Sequence, residues 1–403
     1  MSDTTRWVVA GAILAMVVGG PMVVSGPGND LDVGNVFHSG RSITRHFSYV
    51  PSRAPGAPVH ELIVGVLDYI GGPLLTNLAS MTAAVVLVVA LDRLLRQEGV
   101  GKGGRWAIAV FVANPWFLIA ATSTTDYLFA LGFVVLAALA LRADRAVLAG
   151  ALAAAAMGSR VSSAVLVASL LLAEITEPDQ ARRAAARRRA LTAAATAAVV
   201  TIVIFIPSFL EAGGLAFVQN DFSTSTLAVQ LGRAAVKDLT LLGPVASVML
   251  LAAVPALWAA MKTWRTSWLV RFAVPGFALS QMLFIRFPWK MAHLLPSLLC
   301  LVILLAVALQ DRPPLLIALV SLQLLFAVVR VDVIEPDTPN QSTGAKPSFT
   351  VGWGPVVKDW QCRRQYPEAY LGRQKVEVEA AWNCARPFGN QSTDRRTKTM
   401  GQD

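Results

Sequence analysis

The chain has 403 residues, of which 55% are AVILMFWYC and only 15% are charged, and its mean hydropathy is +0.56. A soluble chain of this size carries about a quarter charged residues and patterns its apolar positions instead of massing them, so a polytopic membrane protein is predicted and a soluble domain excluded. The formal net charge of +10 then belongs by default to cytoplasmic loops, and nucleic acid is not expected as a partner.

A window of about 20 residues, the length that crosses a hydrocarbon core, predicts apolar spans at 7–24, 73–91, 106–121, 126–141, 146–158, 161–175, 191–210, 240–261, 269–285, 291–309 and 315–330. The expected fold class is therefore an all-α polytopic membrane protein of about eleven transmembrane helices, with a small extracytoplasmic C-terminal module. The stretches 106–121, 126–141 and 146–158 are short, which allows kinked or re-entrant pairs. The first span reads as a retained helix and not a cleaved signal, because no A-x-A site precedes Gly26.

Lys and Arg set the expected orientation. With the N-terminus cytoplasmic, sixteen fall in cytoplasmic connections, the run Arg182, Arg183, Arg187, Arg188 and Arg189 among them, against eight in the opposite loops. Two units follow: a transmembrane domain over 1–330 with a functional first outer loop at 25–61, and an extracytoplasmic tail over 331–403. Cys300 lies in a span and reads as a buried apolar residue. Cys362 and Cys384 fall on the oxidising side, where disulfides persist; a bridge between them would contribute about 3 kcal/mol to a module with little core. Trp353, Trp360, Trp382 and the alternating run Lys375 to Val378 suggest mixed structure, and the polar stretch from Asn390 onwards predicts disorder.

The cytoplasmic connections contain no P-loop and no dinucleotide fingerprint, which argues against an ATP-driven pump. The polar chemistry gathers on the opposite side. Loop 25–61, SGPGNDLDVGNVFHSGRSITRHFSYVPSRAPGAPVHE, holds Asp30, Asp32, Arg41, Arg53 and Glu61, and a loop of this length is functional or disordered. Its Pro and Gly residues, followed by an apolar half-helix at 62–70, suggest an ordered structure lying on the membrane. Asp126, Arg160, Arg286, Lys290 and His293 stand at span ends on the same side, and an ionisable residue at a span edge is a functional hypothesis by default. A carboxylate there can deprotonate a hydroxyl nucleophile, Arg and Lys can hold a phosphate, and apolar helices below can take a lipid chain.

At these residues the chain resembles the GT-C glycosyltransferases, which use polyprenyl-phosphate sugars and include the bacterial aminoarabinose transferases and protein O-mannosyltransferases. The likeness runs through Asp30 or Asp32 after the first span, then Gly40-Arg41, then Ser52-Arg53-Ala54-Pro55-Gly56-Ala57-Pro58, similar to R-x-P-G-x-P. It continues through Asn114-Pro115, Thr125-Asp126, Gly158-Ser159-Arg160 and Arg286 followed by His293-Leu294-Leu295-Pro296, over roughly residues 1 to 310. The resemblance implies an enzyme of the plasma (inner) membrane that moves a sugar from a polyprenyl-phosphate donor to a glycan, lipid or protein acceptor. It further implies Asp32, with Asp30 beside it, as catalytic base. Arg41, Arg53, Glu61, Asp126, Arg160, Arg286, Lys290 and His293 would form the substrate and donor-phosphate site. The chain departs from the pattern at His293-Leu294, where the family has H-Y, and in its short tail.

Each residue also has a plainer role. Asp30 and Asp32 suit a turn, Arg53 a loop clamp, Asp126 a helix cap, Arg160 a headgroup contact, and Arg286, Lys290 and His293 an interfacial anchor with Trp289. The spacing of His38, His46 and His60 fits no standard ligand set, so a divalent metal is not indicated by spacing; no cofactor is assigned and metal dependence stays open. A polytopic transporter or lipid-linked sugar flippase is the competing function, disfavoured because the polar groups crowd at one face and no repeat with paired broken helices is visible. A structural subunit of envelope assembly is the third.

Overall fold

Apolar side chains massed at helical spacing leave the chain one way to satisfy its backbone in lipid, the helix. The computed structural model describes residues 19–213, 226–334, 348–367, 380 and 384. Most of the predicted span 7–24, the run Lys375 to Val378, Trp382 and the stretch from Asn390 lie outside them. Among the described residues five helices are long and apolar enough to cross a membrane: Pro58–Gln97, Gln180–Glu211, Pro244–Arg265, Trp268–Arg286 and Met291–Ala308. A sixth arises if the bent pair Lys102–Val112 and Pro115–Ala121 is one span, and four shorter apolar helices accompany them, Tyr127–Arg142, Ala146–Ser159, Val161–Ile175 and Pro313–Val328. The chain is a multi-pass membrane protein.

The breaks follow from local sequence. Helix Pro58–Gln97 is interrupted where Gly71 and Gly72 leave helical geometry just before Pro73. Gly72 has φ +63°, a left-handed value that glycine adopts without steric cost, and Pro73 has no N–H to continue the ladder. The apolar half-helix expected at 62–70 is thus the near arm of this bent helix. The 70° bend of the stretch 106–121 falls at Asn114-Pro115, where Asn114 caps the second arm by accepting from Trp116 N at 3.1 Å. Its amide donates to Leu241 O and Gln323 Oε1, both at 2.8 Å, so this motif is a buried joint between helices.

Helices meet through small residues, as expected where backbones must approach closely in lipid. Gly150 faces Ala193 O and Ala197 N so closely that a Cβ would stand 2.5 Å from the carbonyl. Helix Leu31–His46, in the first loop, packs on Pro58–Gln97 at Gly40 and Gly65, where a Cβ on Gly40 would lie 2.7 Å from Gly65 N. One end of the bundle is bound by ion pairs among Glu98, Arg142, Asp144, Glu174 and Arg189, with Arg271 on Glu177. Cys300 is buried and free.

Helix Pro313–Val328 runs directly into a strand, Val329–Ile334, that pairs antiparallel with Ser348–Trp353 in the register Val329 to Trp353. This small sheet is the departure from an all-α fold. The helix Pro355–Gln365 follows, and a disulfide joins Cys362 to Cys384.

Candidate active site

Loop ends from four places in the sequence meet at the end of the bundle opposite the Glu174 ion pairs. Asp30 caps helix Leu31–His46, its Oδ1 accepting from Asp32 N at 2.9 Å. This presents Asp32 on the helix's first turn. Gly28 has φ +115°, and a Cβ there would meet Ser123 Cβ at 2.8 Å, so glycine permits the loop to touch the segment 122–126. Thr124 N donates to Pro27 O at 2.8 Å. Asn77, just beyond the bend of its helix, donates to Val23 O and Gly26 O and accepts from Thr124 Oγ1. These backbone ties fix Asp126 beside Asp32.

The charged side chains form an alternating chain. Lys290 Nζ donates to Asp30 Oδ1 at 2.5 Å and to Asp32 Oδ2 at 2.8 Å. Arg53 Nη1 donates to Asp32 Oδ2 at 3.0 Å and Nη2 to Asp126 Oδ2. Arg160 Nη1 donates to Asp126 Oδ1 at 2.9 Å, and its guanidinium lies 4.0 Å above the Tyr127 ring. Three carboxylates and three cations therefore balance. Asp126 is 4% exposed whereas Asp32 is 32% exposed, so Asp32 is the carboxylate open to an incoming molecule. A small cavity bounded by Asp30, Asp32, Arg53, Thr125, Asp126 and Tyr127 opens beside it.

Burial alone would raise the Asp32 carboxyl, but Lys290 and Arg53 outweigh it and hold the group far below the usual carboxylate range. Asp126 is likewise raised by burial and lowered more strongly by Arg160 and Arg53, to about 2. On the cations burial acts downward and loses: Asp126 and Asp32 keep Arg53 charged, and Asp30 and Asp32 keep Lys290 charged.

Six of the ten expected site residues thus converge: Asp30, Asp32, Arg53, Asp126, Arg160 and Lys290. His293 lies next to them, its ring 6.1 Å from that of Tyr127 and its Nδ1 3.3 Å from Phe287 O. Arg286 is exposed at the end of Trp268–Arg286, over the Phe287 ring. Two of the ten are engaged outside this cluster. Arg41 is turned to Asp68, with Nε to Oδ2 at 2.7 Å and Nη2 to Oδ1 at 3.3 Å, and so braces two helices. Glu61 is buried and accepts from Tyr49 Oη at 2.5 Å and Ser52 N at 2.9 Å. It clamps the loop carrying Arg53, and an anionic group in that position has nothing to offer a phosphate. Asp126 does hold the N-cap position of Tyr127–Arg142, but its side chain makes no capping hydrogen bond and serves the two arginines.

Sequence reasoning passed over Tyr127, whose ring carries Arg160 and whose buried hydroxyl has no hydrogen-bond partner among the described residues. The signal was an aromatic residue directly after Thr125-Asp126. It also passed over Asp359 and Arg363 in the tail. Among the described residues no group of three His, Cys, Asp or Glu side chains is gathered as a metal site.

A family model described as the GPI transamidase subunit PIG-U matches residues 43–237, just under half of the chain. The chain is also similar in structure to ArnT from Cupriavidus metallidurans bound to undecaprenyl phosphate. The TM-score is 0.57 at 17% identity, over 76% of this chain and 60% of that one. The apo form of the same ArnT gives a TM-score of 0.52 at 19% identity, over 77% of this chain and 60% of that one. At this identity the likeness shows an ArnT-like fold. The chain spans about 60% of the length of these solved structures. Comparison with curated protein sequences finds no match.

Proposed function

We propose that the chain is a membrane glycosyltransferase that moves a sugar from a polyprenyl-phosphate donor to a glycan, lipid or protein acceptor at the extracytoplasmic face of the plasma membrane. The observation that carries this reading is the alternating chain Lys290, Asp32, Arg53, Asp126 and Arg160 beside an accessible carboxylate. Its occurrence in an ArnT-like fold supports it. The reading takes 1–330 as the transmembrane domain, of about eleven helices with the N-terminus cytoplasmic, and 331–403 as an extracytoplasmic tail.

In the resting site every cation is already neutralised, and Asp32, held ionised by Lys290 and Arg53, is a weak base. Arrival of a donor phosphate changes both conditions. The phosphate oxygens take hydrogen bonds from Lys290, Arg53 and Arg160, the bidentate guanidinium forks matching their geometry. Asp32, losing its share of those cations, recovers basicity. It can then accept the proton of an acceptor hydroxyl as that oxygen attacks the anomeric carbon. The new carbon–oxygen bond forms as the bond to the phosphate oxygen breaks, and the leaving electron pair is stabilised by the cations that hold the phosphate. Asp30, committed to its cap and to Lys290, steers the lysine and keeps the helix start in place. Asp126 spaces the two arginines.

A second reading, supported by the PIG-U match, is a non-catalytic subunit of a membrane assembly. The matched residues include Arg53, Asp126 and Arg160 but stop short of Asp30, Asp32 and Lys290. Incubation of the purified protein in lipid with a panel of radiolabelled polyprenyl-phosphate sugars separates the two. Transfer or donor hydrolysis supports the enzyme. No reaction with any donor, together with isolation from native membranes in a stable multi-protein complex, supports the subunit.

A further inference from the structure

We propose that Asp359 and Arg363, in the helix Pro355–Gln365, are positioning residues that set the spacing of Asp32 and Asp126 by clamping the two loops that carry them. The inference rests on the glycosyltransferase reading for its catalytic consequence, and on the packing alone for its structural one.

Arg363 is a fully buried arginine far outside the predicted site, with 1% of its surface exposed. A guanidinium so buried needs its donors satisfied. Nε donates to Asp359 Oδ2 at 2.7 Å, one helical turn back. Nη1 reaches Thr122 O at 2.6 Å and Met22 O at 3.2 Å, and Nη2 reaches Ser123 Oγ at 2.5 Å. One side chain thereby holds the segment that runs through Thr124 to Asp126. Its partner holds the other: Asn29 Nδ2 donates to both Asp359 Oδ1 and Asp359 O at 2.9 Å, and Asn29 immediately precedes Asp30. The pair therefore reads out as a fork whose tines grip residues 29 and 122–123, each within four residues of a carboxylate of the site.

A salt-bridged pair at this spacing on an exposed helix surface would contribute little. The pair is instead buried against two loops whose relative placement decides whether Arg53 can span from Asp32 to Asp126. If the Asn29 loop drifts, Lys290 parts from Asp30 or Asp32. Asp32 is faced by Asp30, Arg53, Asp126, Arg160 and Lys290, so it then loses cationic support and its carboxyl rises. The acid limb of the rate profile moves to higher pH.

The test compares the full chain in lipid nanodiscs with Asn29→Ala and Arg363→Lys, by hydrogen exchange, thermal unfolding and transfer from the donor that the wild type uses. Arg363→Lys keeps a buried cation, and Asn29→Ala removes only the loop's grip, so the fold survives in at least the second. The proposal expects faster exchange confined to 26–32 in Asn29→Ala, and extending to 122–127 in Arg363→Lys. It also expects kcat to fall by about 10- to 100-fold, as a displacement of about 1 Å does, with KM for the donor nearly unchanged and the acid limb moved upward. Exchange at those segments equal to wild type would overturn it. So would a lower melting temperature with kcat and pH profile of the folded fraction unchanged, which is what a mere brace gives. If the wild type turns over no donor, the glycosyltransferase reading fails, and the exchange data alone decide the clamp.

Discussion

Asp126→Asn removes one negative charge from the point where two guanidiniums converge. Asp126 Oδ1 accepts from Arg160 at 2.9 Å and Oδ2 from Arg53, and the side chain is 4% exposed. Without the charge Arg53 keeps Asp32, but Arg160 loses its hydrogen-bonded carboxylate and keeps the face of Tyr127 at 4.0 Å, a contact worth about 2 kcal/mol when desolvated. Stranding one member of a buried pair costs about 3–5 kcal/mol. The amide retains an acceptor and Arg160 is 14% exposed, which puts the expected loss at the low end, about 3 kcal/mol. Arg160→Gln leaves Asp126 with Arg53 and should cost about 2 kcal/mol, the value of a hydrogen bond to a charged group. The double variant should cost about 1–2 kcal/mol less than the two singles together, because the pair is lost only once. Reversible unfolding in mixed micelles, followed by the fluorescence of the chain's ten tryptophans, measures all four proteins. Additivity within about 0.5 kcal/mol would refute the pairing on which the site's electrostatics rests.

Acid should weaken the fold by a route the same carboxylates define. A depressed carboxyl contributes stability that is fully present above its unfolded value, about 3.9, and lost as pH falls through the folded one. Asp126, at about 2, and Asp32, lower still, predict a loss between about pH 4 and pH 2 that unfolding curves of an Asp32→Asn, Asp126→Asn double variant should lack. Gly40→Val should jam helix Leu31–His46 against Gly65 and cost at least about 1–3 kcal/mol in the same micelle assay, whereas a stability equal to wild type would contradict the helix contact. Glu61→Gln should loosen residues 48–57 to limited proteolysis while leaving affinity for the polyprenyl-phosphate donor of the proposed reaction within about twofold, since Glu61 holds Tyr49 and Ser52. Arg41→Ala should lower stability through Asp68 and leave that affinity equally unchanged; a large drop in binding would return Arg41 to the phosphate site.

What the sequence made legible was the multi-pass helical character, and not the number of full-length spans, together with most of the polar cluster. Asp126, Arg160 and Lys290 stand at the ends of apolar stretches, where a charge is expensive and therefore informative, and Asp32 and Arg53 lie in the long first loop. The order of spans placed them on one side before any packing was known. Arg41 and Glu61 carried the same signal, and nothing local separated them from Arg53. Their partners, Asp68 and Tyr49, are fixed by the crossing of Leu31–His46 on the near arm of the bent helix, a tertiary fact set by Gly40 and Gly65. The bend falls at Gly71-Gly72-Pro73, between the half-helix expected at 62–70 and the span expected from 73. Asp359 and Arg363 were silent because a polar tail offers no hydrophobic background against which a buried charge stands out. The strand Val329–Ile334 was hidden for a related reason: it continues an apolar helix, and only its β-branched alternation Val-Arg-Val-Asp-Val-Ile marks the change.

In the proposed reaction Asp32 takes the acceptor's proton while Lys290, Arg53 and Arg160 hold the donor phosphate. Single-turnover transfer from a reactive polyprenyl-phosphate sugar tests it most directly, comparing wild type with Asp32→Asn and Asp30→Asn, with donor binding measured in parallel. The account predicts that Asp32→Asn binds donor as well as wild type and loses the chemical step by at least about 100-fold, the lower reach of general-base catalysis, while Asp30→Asn retains part of it. Transfer by Asp32→Asn at the wild-type rate would contradict it.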